Sequence, residues 1–115
     1  MTNQFQTKTF PNHWTMVTGL YEESHGIVAN QFYDPKTKTH FNYTDKSSWD
    51  DPDLWGGEPL WITNQKNGGT TACEYWVGSE VHNRTPSYYQ SYDDKKVKKN
   101  RHFMIFYNIV IILLR

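Results

Sequence analysis

The chain is poor in most of the features that would fix a function from composition. It has one cysteine, Cys73, so no internal disulfide can form and no zinc framework of paired cysteines exists. Such a lone residue is expected to serve as a small buried hydrophobe. Net charge is zero, with a pI near 7. That gives no bulk attraction to nucleic acid or anionic membrane, so no DNA- or RNA-binding surface is expected. The start, "MTNQFQTKTF", has neither a basic stretch nor an apolar run, and this chain therefore shows no targeting signal.

Apolar residues make up only 37% of the 115 residues, against about 45–50% in ordinary domains counted with glycine. The length suits one small domain. The apolar supply is thin for an independent core, and the chain is expected to be incomplete as a stand-alone fold. The one long apolar run, Phe103 to Leu114, is shorter than the roughly 17–25 residues of a membrane span. It follows the charge run "DDKKVKKNR" and reads as a buried strand, a truncated anchor or a sequence error.

Aromatic residues are plentiful, 17% of the chain with five Trp and eight Tyr. Rings serve both cores and stacking sites, so their placement has to decide between the two uses.

Punctuation suggests alternating strands and helices, an α/β architecture. Pro11 suits the first turn of a short helix running from His13 to Thr18, with Thr9 at or near its N-cap and Gly19 as its stop. "ANQFYDPKTKTHFNY" reads as a hairpin turning at Asp34-Pro35, and "KSSWDDPDLWGG" as a polar loop. "GEPLWITNQKNGG" reads as a second helix, opened near Pro59 and closed by Gly68-Gly69; a short strand "LWIT" is the alternative. "TTACEYWVG" reads as a strand ending at Gly78.

Thr9 invites a chemical reading. A threonine hydroxyl attacks phosphorus only when a base or metal activates it, and a helix N-terminus favours the anion that results. Capping alone would explain the same residue. His13 and His25 have no carboxylate at ligand spacing on one helix face, so both read as structural hydrogen-bonders. Two sequons, Asn42-Tyr43-Thr44 and Asn83-Arg84-Thr85, make Asn42 and Asn83 glycosylation candidates if the chain is exported.

The stretch "TKTFPNHWTMVTGLYEESHGIVAN" closely resembles the nucleophile region of the nucleotide pyrophosphatase/phosphodiesterase family of the alkaline phosphatase superfamily. "YDP", "GEPLWIT" and "YWVGSEV" follow in the family's order. The resemblance covers most of residues 1–92. It implies a partial alkaline-phosphatase-like domain there: nucleophile helix, hairpin, helix, strand. Residues 93–115 form a basic-then-apolar tail that does not resemble the family.

Carried over residue by residue, the resemblance makes Thr9 the nucleophile and also a metal ligand. Asn30 would donate its amide to a phosphoryl oxygen. Phe10 would stack on the nucleobase, with Tyr92 on its other face in a shortened stretch. Trp76 would line the pocket, although Val77 stands where the family usually has proline, and a core role is equally open. Glu80 would touch the nucleotide or cap a turn. The implied reaction is hydrolysis of nucleotide phosphodiester or pyrophosphate bonds through a phospho-threonine, with two Zn2+ in the full-length parent. A lysophospholipid substrate is the family's other branch.

The family's Asp-Gly-Phe and Asp-His-Gly blocks are absent, so only Thr9 of the metal shell is here. A fragment is expected that binds no zinc by itself and is inactive alone, from a parent that is extracellular, cell-surface or in the secretory lumen, some relatives being membrane-anchored. Two other readings stand beside it. One is a catalytically inactive family member. The other is a WW-like interaction module around "NQFYDPKTKTHFNYTDKSSWDDP", in which Trp14 and Trp49 lie too far apart for that compact fold.

Overall fold

The computed structural model describes residues 2–91 and 111–114. Helix α1, Thr9–Thr18, leads into a single helical turn, α2, Glu22–His25. Strands β1, Gln31–Asp34, and β2, Thr39–Asn42, form an antiparallel hairpin in which Phe32 faces Phe41. Two short turns follow, α3 at Lys46–Trp49 and a 3-10 turn at Pro52–Leu54, and then helix α4, Leu60–Lys66. Strand β3, Thr70–Glu74, is the centre of a three-stranded sheet. It pairs in parallel with β4, Tyr88–Gln90, and antiparallel with β5, Ile111–Leu114.

Several boundaries differ from the sequence expectation. Helix α1 starts at Thr9 rather than His13, and the residue before it, Lys8, is extended and offers no side-chain cap. Helix α2 was not anticipated. The "polar loop" of 46–57 is organised by two aspartates. Asp45 Oδ1 accepts from Ser47 N at 3.0 Å and Asp51 Oδ1 from Asp53 N at 3.0 Å, so each caps a helical turn. β3 stops at Glu74, short of Gly78, because Tyr75 turns to φ 55°.

The core gathers Trp14, Trp55, Trp61, Phe41, Ile27 and Val81, all 0–1% exposed, with Phe10, Val17, Leu54 and Cys73 around them. Cys73 is the small buried residue expected, and burial pushes its thiol up to about 11. Burying an indole strands its N–H unless an acceptor is supplied. Trp14 Nε1 donates to the Gly56 carbonyl at 2.8 Å, Trp55 to that of Trp49 at 2.9 Å, and Trp61 to that of Arg84 at 2.7 Å. Gly78 lets loop 75–80 close over this layer. Its φ is +83°, and a Cβ there would lie 2.6 Å from the Trp14 ring.

His25 ties α1 to α2. Its Nδ1 accepts from Ile27 N at 3.1 Å, which leaves Nε2–H to donate to Thr15 Oγ1 at 2.9 Å. The ring is fully buried, and desolvation lowers its pKa. Beneath the 2–8 segment, Glu22 Oε2 accepts from Gln6 N at 3.0 Å, and burial raises the pKa of its carboxyl. Among the described residues no helix is long and apolar enough to cross a membrane.

Candidate active site

The start of α1 lacks a local cap, and the chain supplies one from the loop before the hairpin. Asn30 Oδ1 accepts from the orphan Phe10 N–H at 3.1 Å. That bond fixes the amide's orientation. Its carbonyl oxygen faces the helix, so its Nδ2 group points away from Phe10 N with both protons free of partners among the described residues. Thr9, the first helical residue, is exposed beside it. Asn30 is half-buried, which suits a residue that serves the helix on one side and opens outward on the other.

Thr9 stands at the mouth of a cleft of about 500 Å³. One wall is the first turn of α1, with Thr9, Phe10 and His13. The floor is Tyr43, Thr44, Lys46 and Trp49, from the end of the hairpin and α3. The far wall is the 75–80 loop, with Tyr75, Trp76, Val77, Gly78 and Glu80. The structure thus brings Thr9, Phe10, Trp76 and Glu80 together, with Asn30 held to the first wall by the Phe10 amide. Tyr92 lies outside the described residues.

Phe10 lines the cleft and is also part of the core. It is 7% exposed and its ring meets Phe41, Trp49, Tyr43 and Trp55 at centroid distances of 5.5, 5.3, 6.2 and 6.3 Å. Trp76 is half-buried, and its Nε1 has no acceptor among the described residues. Lys46 Nζ lies 5.9 Å from the Trp49 ring centroid, a cation–π pair, and Lys46 and Glu80 both line the cleft.

Sequence reasoning took His13 only as a structural hydrogen-bonder and gave Tyr43, Lys46 and Trp49 no part in the site. His13 does make such a bond, Nδ1 donating to the Thr9 carbonyl at 2.7 Å, and it lines the cleft as well. The signal available for it was the i, i+4 spacing to Thr9. The floor residues carry no local signal, because a hairpin and two capped turns are needed to fold them beneath α1. His25, by contrast, is buried and structural.

A second hollow of about 520 Å³ shares Lys46, Trp49 and Glu80 with the cleft and continues to His82, Asn83 and Tyr89. The two sequons differ in setting. Asn42 is half-buried in β2, its Oδ1 accepting from Thr44 Oγ1 at 2.9 Å and Thr44 N at 3.1 Å. Asn83 is exposed in a turn with φ 59°. The WW-like reading needs an open aromatic groove on the hairpin, and Phe41 on its inner face is 1% exposed.

No three His, Cys, Asp or Glu converge among the described residues. Thr9 contributes one oxygen, and one donor does not hold a zinc ion. The described part of the chain therefore does not by itself fit a two-zinc site.

The sequence profile of the family described as type I phosphodiesterase / nucleotide pyrophosphatase matches residues 1–106. The mouse protein bis(5'-adenosyl)-triphosphatase enpp4 is 50% identical over 103 residues, covering 86% of this chain and 22% of that protein. Human ectonucleotide pyrophosphatase/phosphodiesterase family member 5 is 44% identical over 101 residues, covering 82% of this chain and 20% of that protein. Among solved structures, murine ectonucleotide pyrophosphatase/phosphodiesterase 5 superposes with a TM-score of 0.75 at 37% identity, over 93% of this chain and 31% of that one. An inactive threonine-to-alanine variant of that murine protein, solved in complex with AMP, gives a TM-score of 0.75 at 36% identity, over 93% of this chain and 30% of that one. The chain spans about a fifth of the length of the curated relatives it matches. An ordered sequence match and a shared α/β fold thus agree: the chain belongs to the type I phosphodiesterase / nucleotide pyrophosphatase family.

Proposed function

We propose that this chain carries the nucleophile and part of the nucleotide pocket of a metal-dependent hydrolase that cleaves nucleotide phosphodiester or pyrophosphate bonds. The observation that supports this most is the Asn30–Phe10 contact at 3.1 Å. It ties the Asn30 amide to the first turn of α1, the turn that begins with Thr9 and lines an aromatic cleft at the helix's positive end. Thr9 Oγ forms the bond to phosphorus while the bond to the leaving oxygen breaks, the hydroxyl proton passing through solvent to the departing oxygen. Asn30 Nδ2 and the helix start face the charge that grows on the phosphoryl oxygens. Water then cleaves the phospho-threonine.

The relatives' names support a nucleotide substrate, and the neighbour made inactive by a threonine-to-alanine change, solved with AMP, supports a threonine with an essential part. Phe10, Trp76, Glu80 and Tyr92 make up the base and sugar side of the pocket in this reading. Two zinc ions would activate the nucleophile in the longer protein, held by Asp and His side chains outside the described residues. Because the sequence has neither the Asp-Gly-Phe nor the Asp-His-Gly block, the purified 115-residue chain should not turn over p-nitrophenyl thymidine monophosphate with or without zinc. The reading also carries an exported location for the parent, outside the cell or in the secretory lumen, with a membrane anchor and glycans at Asn42 or Asn83 as its further expectations.

The test is Thr9→Ala in a version of the protein extended to the relatives' length. Turnover should fall by more than a thousandfold, with AMP still bound. Turnover near the parent's rate would remove Thr9 from the chemistry.

A further inference from the structure

We propose that His13 is an additional substrate-binding residue of the cleft, whose Nε2 accepts a hydrogen bond from a sugar hydroxyl of the nucleotide. The inference rests on the nucleotide-cleaving function proposed above and assigns the residue that reads the sugar.

His13 lies one turn after Thr9 on the same face of α1, and a helical side chain leans back toward the N-terminus. The imidazole accordingly reaches the Thr9 carbonyl, with Nδ1 2.7 Å from the oxygen. A carbonyl oxygen only accepts, so Nδ1 carries a proton, and in the neutral ring the lone pair is left on Nε2. The ring is held a second time, against Trp76, at 5.2 Å between centroids and 59° between planes. Both rings line the same cleft as Thr9. Nε2 makes no hydrogen bond among the described residues, so the protein presents an oriented acceptor with its tautomer already chosen.

An acceptor fixed in this way is satisfied by a donor. The ionised phosphate of a nucleotide offers only acceptors. Its donors are the sugar hydroxyls and, in adenine, the exocyclic amine. The sugar is the unit next to the phosphate, and His13 follows Thr9 by four residues, a rise of about 6 Å along the helix axis. The base has the rings of Phe10, Tyr43 and Trp49 in the same cleft to lie against, which leaves the sugar as the donor assigned to His13.

The test uses the full 115-residue chain. Ring nitrogen resonances of its histidines are followed by NMR during titration with AMP, IMP and 2',3'-dideoxy-AMP. The His13 Nε2 resonance should move with AMP and IMP and stay with the dideoxy compound. AMP should bind about 3–10-fold more tightly than dideoxy-AMP. His13→Phe keeps a ring against Trp76 and should abolish that preference, whereas His13→Gln, which retains an acceptor, should recover part of it. Equal binding of AMP and dideoxy-AMP by the unaltered chain, or an unchanged preference in His13→Phe, overturns the inference. A preference for AMP over IMP in place of the sugar effect assigns the contact to the base and overturns it too. Movement of Thr9 and Phe10 resonances with His13 still overturns this inference alone. No movement anywhere in the cleft overturns the nucleotide function as well.

Discussion

Under α1, Trp14, Trp55 and Trp61 are completely buried and each indole N–H reaches a backbone carbonyl. Across the cleft Trp76 is half-buried, its N–H has no acceptor among the described residues, and its neighbour His13 has an idle ring nitrogen. The same kind of side chain thus does two jobs. In the core, each of the three indole N–H groups is matched inside the fold, so position follows from packing. On the cleft wall, the Trp76 N–H and one His13 ring nitrogen are without a partner among the described residues.

The sharpest break of this contrast is a pair of truncations. Trp14→Ala should cost about 3–5 kcal/mol, enough to abolish cooperative folding in a small domain, whereas Trp76→Ala should cost less than half as much. Equal losses in denaturant midpoint would erase the distinction between the two regions. The next test strikes where they meet. Gly78→Ala puts a methyl group into the Trp14 ring at a backbone φ of +83° and should lower stability by about 1–3 kcal/mol, measured by thermal unfolding.

A smaller effect separates the two faces of Asn30. Asn30→Ala should remove about 1 kcal/mol through the lost cap on Phe10 N–H. Asn30→Asp keeps an acceptor and should hold stability near the parent's while losing the outward donor. Denaturant titration of both variants checks this; an Asp variant as unstable as the Ala one would deny the cap.

The smallest effect belongs to His25. Desolvation holds its folded pKa below the ordinary 6.5, with Glu23 and backbone bonds pulling the other way. The unfolded chain therefore takes up the proton first. Stability is complete above about pH 6.5 and declines as pH falls below it. Melting temperature should drop by a few degrees between pH 7.5 and 5.5, and His25→Gln should flatten that slope. Glu22 works in the opposite direction, since its folded pKa is raised above 4.5 and the folded chain takes up that proton first as pH falls; the difference in slope between the parent and His25→Gln isolates the histidine.

Much of this was legible in residues. Gly19, the Asp34-Pro35 turn, and the helix between Pro59 and Gly68 are local signals, and each marks a boundary or turn in the fold. The block resemblance picked out Thr9, Phe10, Trp76 and Glu80, and these converge on one cleft. What stayed hidden depends on distant contacts. The onset of α1 at Thr9 needs an acceptor 20 residues away. The turns at 46–54 depend on aspartate caps inside a stretch whose composition says only "loop". Strand β4 is recognisable only beside β3. His13 looked like scaffolding because its one visible partner is backbone.

The bond from the Phe10 amide to Asn30 also bears on how the protein is made. A helix that begins with an unpaired amide is incomplete while the nascent polypeptide ends before residue 30. Only after the hairpin segment emerges from the ribosome can the loop close and the first turn lock. The first turn of α1 and its tie to the loop before the hairpin are thus completed together, and a chain stalled between these two positions would carry Thr9 without its setting.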